Sequence, residues 1–148
     1  MNRNGWTVYA YPLFDDQYDR LLDRVEIAKR ADPLGYASLP AAKLLVTVDR
    51  YTDEVIPANP SVPQFRQGNT LGKSNRHWFR AKFHERYRLF FRFSTKAKII
   101  VYAWMNDQST LRKAGSKTDP YALFETMLKS GDPPASLEQL IAASRKMP

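Results

Sequence analysis

The feature of this sequence that most constrains its fold is a series of three strand-like segments between residues 77 and 105. In His77–Phe83 and Tyr87–Phe93 apolar side chains alternate with polar or basic ones, and Ala97–Met105 contains the longest apolar run of the chain. A period of two is typical of β-strands with one buried face. The breaks between the segments are short enough for hairpin turns, so the sequence predicts a small antiparallel β-sheet.

The alternation also predicts how the first two strands pair. Directly opposed residues in an antiparallel pair point to the same side of the sheet, so the two apolar rows coincide only if the turn holds an odd number of residues. A turn formed by His84–Arg86 satisfies this condition. It pairs Phe83 with Tyr87 and Phe79 with Phe91.

The same rule applies to the second hairpin. With Ser94–Lys96 as the turn, Phe91 pairs with Ile99, and Leu89 pairs with Val101. One face of the predicted sheet is then wholly apolar and suited to be covered by helices. The opposite face is predicted to stay open to solvent.

The predicted open face is basic and aromatic. It carries Trp78, Arg80, Lys82, Arg88, Phe90, Arg92, Lys98, Ile100, Tyr102 and Trp104. Glu85 is the only acidic residue between residues 77 and 104, and it falls in a turn. One interpretation is a solvated face without a ligand. The other, which the one-sided charge favours, is a surface that binds single-stranded nucleic acid through phosphate contacts and base stacking.

Helical patterns precede these strands. A short strand at Trp6–Ala10 is followed by a helix that begins at Pro12 and carries an apolar stripe, and a second helix runs from about residue 39 to residue 55. Because the break between these helices is short, they should form an antiparallel hairpin. The connection Ile56–Asn75 is rich in Pro, Asn and Gly, and its basic tip with Lys73 and Arg76 either contacts phosphate or is merely solvated.

Two further helices are predicted after the strands. Asp119 provides an N-cap for a helix that Gly131 ends, and Ser136 begins a final helix that continues to about Lys146. Together with the strands, these patterns predict a single α+β domain over residues 1–148. In it, the N-terminal helical hairpin covers one face of a small antiparallel sheet.

Composition narrows the classes of function. The net charge of +8 favours a polyanionic partner, although an ordinary basic domain is an equally simple interpretation. No apolar segment approaches the roughly 20 residues needed to span a membrane, and the chain has no cysteine, so we expect a cytoplasmic protein. Neither converging acids and histidines nor a phosphate- or dinucleotide-binding motif is present, so we expect no metal and no cofactor.

RNA carries its own nucleophile, the 2′-hydroxyl group, so it can be cleaved by side chains that position it, stabilise the phosphorane and move protons. Arginine suits the stabilising role, lysine among other cations is a feasible base, and tyrosine can orient groups or relay a proton. The candidate catalytic residues are Arg80, Lys82, Arg88, Arg112, Lys117 and Tyr121. The candidate RNA-binding residues are Trp78, Arg92, Lys98, Tyr102, Lys73 and Arg76.

Several short motifs occur in order along the chain: Asn4–Trp6, Ala42–Leu45, Asn59–Ser61, Trp78, Arg80, Lys82–Phe83, Arg86–Arg92, Trp104–Asp107, Thr110–Arg112, Lys117–Asp119, Gly131 and Pro133–Ala135. In these motifs the sequence resembles the YhaV-type toxins of the RelE-like mRNA interferase superfamily. The number and order of the motifs extend the resemblance over nearly the whole chain.

The resemblance implies a RelE-like fold and a toxin of a type II toxin–antitoxin system that cleaves mRNA, in association with the ribosome. It also implies an AbrB-like (PrlF-type) antitoxin, and contact with operator DNA through the toxin–antitoxin complex. The positions matching the family's site are Arg80, Arg88, Arg112, Lys117 and Tyr121. Some members of the superfamily use a histidine near the C-terminus. This chain has none after residue 84, which requires another group to move the proton.

Two alternatives from other classes remain at this point. The same basic surface would serve a protein that binds RNA or the ribosome without cleaving RNA. A DNA-binding regulator is favoured less, because no helix concentrates Arg and Lys as a recognition helix does. Tyr121 also falls in the apolar stripe of its helix and therefore fits a core position as well as a functional one.

Overall fold

A mixed β-sheet forms the centre of the computed structural model, which describes residues 3–148. The strands are Thr7–Ala10 (β1), Phe79–Phe83 (β2), Tyr87–Ser94 (β3), Ile99–Met105 (β4) and Arg145–Lys146 (β5). The helices are Pro12–Ala31 (α1), Pro40–Arg50 (α2), Ile56–Ala58 (α3), Pro120–Lys129 (α4) and Leu137–Ala142 (α5). The strand order is β2-β3-β4-β1-β5, and the predicted α+β class is confirmed.

The sheet is antiparallel, as predicted, except between β1 and β4. β1 pairs with β4 in parallel, with Thr7 opposite Ile99 and Ala10 opposite Tyr102. Parallel neighbours need a long crossover between them. Here the two N-terminal helices and the β2–β3 hairpin supply it, because all of them lie between β1 and β4 in the chain.

The pairing of β2 with β3 agrees with the sequence prediction. Phe83 lies opposite Tyr87 and Phe79 opposite Phe91, which confirms the three-residue turn. Within that turn, His84 and Glu85 adopt positive φ angles of 46° and 63°. The register places the apolar rows of both strands on the face that packs against α1 and α2.

The predicted register of the second hairpin is wrong. Ser94 pairs with Ile99 and Phe91 with Tyr102, and the ladder is irregular between Phe90 and Phe91. Phe91 moves from its predicted partner Ile99 to Tyr102, a shift of three residues that exchanges the two sides of β4. The β-bulge adds a fourth residue, which returns the end of the strand to its predicted side. Tyr102 therefore faces the N-terminal helices, where it is fully buried and donates a hydrogen bond to the carbonyl oxygen of Thr52 at 2.8 Å.

The N-terminal helical hairpin is confirmed. Pro12 and Pro40 stand at the first positions of α1 and α2, where a fixed φ angle favours a helix and no N–H group is lost from hydrogen bonding. Tyr18, early in α1, donates to Asp49, late in α2, at 2.5 Å, so the two helices run in opposite directions. A π-helical turn at Tyr51–Val55 joins α2 to α3.

The second sheet face is not open, contrary to the prediction. α4 and α5 contribute to a second apolar cluster on this face, which comprises Tyr11, Leu71, Trp78, Phe90, Val101, Ala103, Tyr121, Phe124 and Leu140. The apolar stripe of α4 needs a partner surface, and the aromatic residues of the face provide it. Trp78 is consequently fully buried, with its ring perpendicular to that of Phe124 at 5.0 Å, and the prediction that it is exposed is wrong.

The C-terminal end differs from the predicted helix through Lys146. α5 ends at Ala142, and β5 then pairs antiparallel with β1. Arg145 of β5 forms an ion pair with Asp15 of α1 at 2.7 Å, which attaches the chain end to the N-terminal helix. Within residues 3–148, no helix has the length and apolar character needed to cross a membrane.

Candidate active site

The hydroxyl group of Tyr121 is the point where three elements meet. It accepts a hydrogen bond from Nε of Arg80 in β2 at 2.8 Å and another from Nε of Arg88 in β3 at 3.1 Å. The strand register explains this convergence, because Arg80 lies opposite Phe90, two residues from Arg88 on the same side of the sheet. The first turn of α4 brings Tyr121 to these two arginines.

Tyr121 is held in place by its ring and by its helix. Its ring stands perpendicular to that of Phe90 at 5.6 Å and lies in the second apolar cluster. The guanidinium group of Arg112 lies 4.6 Å from the centre of the same ring, close enough for a cation–π contact. Tyr121 therefore meets both expectations from the sequence. Its ring belongs to the apolar core, and its hydroxyl group makes polar contacts.

Asp119 connects the start of α4 to Arg112. Its carboxylate caps the helix by accepting from the backbone N–H of Tyr121 at 3.3 Å, and it forms an ion pair with Nη1 of Arg112 at 2.6 Å. It also accepts from the backbone N–H of Lys113. Sequence analysis recognised Asp119 only as a helix cap, because its contact with Arg112 depends on the course of the preceding loop.

The two central arginines use further donors to bind backbone carbonyl groups. Nη1 of Arg80 donates to the carbonyl oxygen of Gln64 at 2.7 Å, and Nη1 of Arg88 donates to those of Glu85 and Tyr87 at 2.9 Å each. Nη2 of both arginines has no hydrogen-bond partner among residues 3–148. Because Nε and Nη2 form one edge of a guanidinium group, these free donors lie next to the Tyr121 hydroxyl.

The charge of these arginines is not balanced by a neighbouring acid. Arg80 is 8% exposed and Arg88 is 7% exposed, and within residues 3–148 neither forms a salt bridge. Asp119, whose carboxylate accepts from the backbone N–H of Tyr121, is paired with Arg112 instead. Charged side chains are rarely buried this deeply without a partner, so the site is chemically suited to an anion.

Asn106 is a residue of this region that sequence analysis assigned no role. The oxygen of its side-chain amide accepts a hydrogen bond from the backbone N–H of Arg88 at 2.7 Å. The nitrogen of the same amide donates to the backbone carbonyl oxygens of Arg86 and Thr110. It thereby fastens the loop after β4 to the end of β3. The carbonyl group of Gln64 was also missed, since a main-chain contact leaves no signal in the sequence.

The remaining candidate catalytic residues lie outside this hydrogen-bonded centre. Lys82 shares the side of β2 that carries Arg80, and its side chain is exposed. Lys117 is exposed in the loop before α4. Both lysines are accessible to a bound polyanion, but the structure joins neither of them to Tyr121 by a hydrogen bond.

The candidate RNA-binding residues do not form one surface with the arginine centre. Arg92 lies farther along β3, where it donates to the carbonyl oxygen of Ala135 at 2.6 Å and lies over the ring of Trp78, and burial lowers its pKa. Lys98 lies in the turn before β4, 4.8 Å from the ring centre of Trp6. Their placement on a common open platform is therefore wrong, as it is for the buried Trp78 and Tyr102.

Lys73 and Arg76 lie in the loop before β2 and are exposed. Nε of Arg76 donates to the side chain of Asn69 at 2.7 Å, which holds the loop in a compact turn. Among residues 3–148, no group of three or more His, Cys, Asp or Glu side chains is arranged to hold a metal ion.

Comparison with known proteins shows the family to which the chain belongs. Residues 8–145 match the model of a family described as toxins with endonuclease activity that belong to toxin–antitoxin systems. The chain belongs to the YhaV toxin family. It is 50% identical over 139 residues to "Ribonuclease toxin YhaV" of Escherichia coli strain K12, which covers 93% of this chain and 90% of the relative.

"Toxin YhaV" of Escherichia coli O6:H1 shows the same identity and coverage. No solved structure matches the chain. As a member of the YhaV family, the chain is an endonuclease toxin with an antitoxin partner.

Proposed function

We propose that this toxin is a metal-independent endoribonuclease that cleaves mRNA, with Arg80, Arg88 and Tyr121 at the centre of its active site. The observation that carries the proposal is the pair of nearly buried arginines that share the Tyr121 hydroxyl and have no acidic partner within residues 3–148. A phosphodiester would supply the missing negative charge, and its oxygens match the geometry of two guanidinium groups.

The chemistry follows from the donors around the tyrosine. The 2′-hydroxyl oxygen of RNA attacks the neighbouring phosphorus, and the bond from phosphorus to the 5′-oxygen breaks, leaving a 2′,3′-cyclic phosphate. Nη2 of Arg80 and of Arg88 donate to the phosphoryl oxygens, whose charge increases in the transition state. Tyr121 gives its proton to the leaving 5′-oxygen, and the two Nε donors stabilise the resulting phenolate.

The other candidate cations are assigned supporting roles. Lys82 is the candidate for the base that takes the proton of the 2′-hydroxyl, because it is exposed on the same side of β2 as Arg80. Arg112, Lys117, Lys73 and Arg76 contact phosphates along the bound strand. Such contacts strengthen binding to RNA of any sequence.

Cleavage of end-labelled RNA in EDTA, with and without ribosomes, tests the proposal. We expect products that end in a 2′,3′-cyclic phosphate, and a rate at least ~100-fold lower in Arg80→Ala and Arg88→Ala, because each removes a donor to the transition state. Arg30→Ala, which removes an exposed arginine at the end of α1, is the matched control and should cleave like the wild type.

The outcomes separate the rival functions. Full cleavage by folded Arg80→Ala would contradict the assignment of the site. Tight binding of RNA that stays intact would indicate a binding protein that blocks translation, and salt-dependent operator binding by the toxin alone would indicate a DNA-binding regulator. Circular dichroism of each variant establishes that it is folded.

The family resemblance supports the wider setting that we propose. In it, residues 1–148 act as one RelE-like domain in the cytoplasm, cleave mRNA on the ribosome and are inhibited by an AbrB-like antitoxin. The complex with the antitoxin binds operator DNA. Co-purification with an AbrB-like protein encoded beside the toxin, and loss of toxicity on its co-expression, test the choice of partner.

A further inference from the structure

A second feature of the site is a pocket of about 380 Å³ beside Arg80. It opens between the segment after α2 and the loop before β2. Tyr51, Gln64, Phe65, Arg66, Arg80 and Lys82 contribute to its walls. Its volume falls in the range of about 300–1,000 Å³ that is typical of sites for small organic groups.

The charge of this pocket distinguishes it from the larger groove of the molecule. Its lining includes three cations, Arg66, Arg80 and Lys82, and no acidic side chain. The groove of about 790 Å³ between α1, α2 and the end of β4 is lined by two arginines and two aspartates, so its charges balance. Of these two cavities in the described part of the chain, the pocket beside Arg80 is the one with uncompensated positive charge, which favours a phosphate-bearing ligand.

The pocket is continuous with the reactive centre through one side chain. Nη1 of Arg80 donates to the carbonyl oxygen of Gln64, which lines the pocket, while Nε of the same group donates to the Tyr121 hydroxyl. A phosphodiester bound at Nη2 therefore has one neighbouring nucleotide within reach of the pocket.

The pocket also offers an aromatic surface. Tyr51 is half-buried, with its ring 5.1 Å from that of Phe83, and Arg50 lies over it at 5.2 Å. Aromatic side chains in a basic groove bind the bases of single-stranded nucleic acid of varied sequence by stacking. Arg66 is exposed at the pocket, where its guanidinium group can reach a phosphate.

We propose that this pocket is the subsite for the nucleotide that adjoins the cleaved phosphate. Arg66 contacts the phosphate of that nucleotide, and Tyr51 packs against its base. This inference rests on the proposed cleavage of RNA at Arg80 and Arg88, and it extends the binding site to residues outside the cleavage centre.

Binding of a fluorescent single-stranded RNA carrying 2′-fluoro groups tests the subsite, since this RNA lacks the 2′-hydroxyl and cannot be cleaved. Anisotropy is measured over a range of salt concentrations for the wild type, Arg66→Gln and Tyr51→Leu. Arg66→Gln should reduce the slope of log K against log salt by about 0.7, the contribution of one phosphate contact. Tyr51→Leu, which keeps an apolar contact with Phe83, should weaken binding by at least ~5-fold with the slope unchanged.

Arg30→Gln is the matched control, because it removes the same charge from the end of α1, away from the pocket. Its salt slope should equal that of the wild type, and an equal loss of slope in this control would overturn the subsite. Wild-type binding by both pocket variants would also overturn it, while cleavage of unmodified RNA by the wild-type protein would leave the proposed function standing. If the wild type does not cleave RNA, both proposals fail together.

Discussion

Tyr121 joins two environments that usually belong to different residues. Its ring is packed against Phe90 in the second apolar cluster, and its hydroxyl accepts hydrogen bonds from two arginines. This is possible because the residue stands in the first turn of α4, at the edge of the cluster. Substitutions at Tyr121 can therefore separate packing from chemistry.

Tyr121→Phe should remove the chemistry and keep the packing. The ring remains in place, while Arg80 and Arg88 lose their shared acceptor and the leaving oxygen loses its proton donor. We expect kcat for RNA cleavage to fall about 100-fold or more, with a small change in the melting temperature. Tyr36→Phe in the turn after α1 is the control, and a fully active Tyr121→Phe would argue against a role in proton transfer.

At the scale of elements, the start of α4 couples a helix cap to an active-site arginine. Asp119 accepts from the N–H of Tyr121 and binds Arg112, so the helix begins where the loop cation is held. Ser136 caps α5 in a similar way but contacts no residue of the arginine centre. The two helices therefore provide matched positions for comparing stability with activity.

Asp119→Ala and Ser136→Ala should both lower the free energy of unfolding, by about 0.5–2 kcal/mol for the loss of a cap. Asp119→Ala should lower the free energy of unfolding more than Ser136→Ala does, because it also leaves Arg112 without its carboxylate partner. Only Asp119→Ala should slow RNA cleavage. Urea unfolding and the cleavage assay measure the two effects, and equal cleavage by both variants would contradict the link between Asp119 and the site.

The attachment of β5 should depend on pH through Asp15. The hydrogen bond from Arg145, opposed by partial burial, lowers the pKa of Asp15 below its ordinary value of 3.8. The carboxylate form thus stabilises the folded chain above that ordinary pKa, and the stabilisation is lost as the pH falls through the lowered pKa.

Arg145→Gln should accordingly destabilise the protein near neutral pH and have little effect in acid. For a largely exposed ion pair, we expect the free energies of unfolding of wild type and variant to differ by about 0.2–1 kcal/mol at pH 7. This difference should shrink steadily as the pH falls below 3.8. Urea unfolding of wild type and variant over a pH series measures this. A difference that stays constant below pH 3.8 would show that Asp15 is not the group responsible.

At the scale of the whole molecule, the sheet is buried on both faces. The N-terminal hairpin covers one face, and the second apolar cluster covers much of the other. Phe124 of α4 is central to that cluster, with its ring stacked on Phe90 at 4.4 Å and on Trp104 at 5.7 Å. The arginine centre lies at the edge of this packed layer, where α4 begins.

Phe124→Ala should lower the free energy of unfolding by about 3–5 kcal/mol, because it leaves a cavity between α4 and the sheet. Ile27→Ala, at a side chain that is 60% exposed, should change it little. Denaturant unfolding of both variants is the measurement. A loss below about 1 kcal/mol in Phe124→Ala would mean that α4 is not firmly packed on the sheet.

The sequence by itself determined the features that follow from local patterns. Alternation along two strands and one odd turn placed Phe83 opposite Tyr87, and with it Arg80 and Arg88 on one side of the sheet. Prolines and helical spacing located the N-terminal helices. Because these patterns depend only on residues close together in the chain, they predict the features without knowledge of the tertiary structure.

Only the tertiary structure decided which face a residue of β4 occupies and what covers the second face. The shifted pairing after the turn moved Tyr102 to the helical side, and packing of α4 buried Trp78. The hydrogen bond from Nη1 of Arg80 to the carbonyl oxygen of Gln64 likewise depends on the course of the loop before β2. Such contacts depend on which elements pack together and bury each other's apolar surfaces. The alternation of residues within a single strand does not predict that packing.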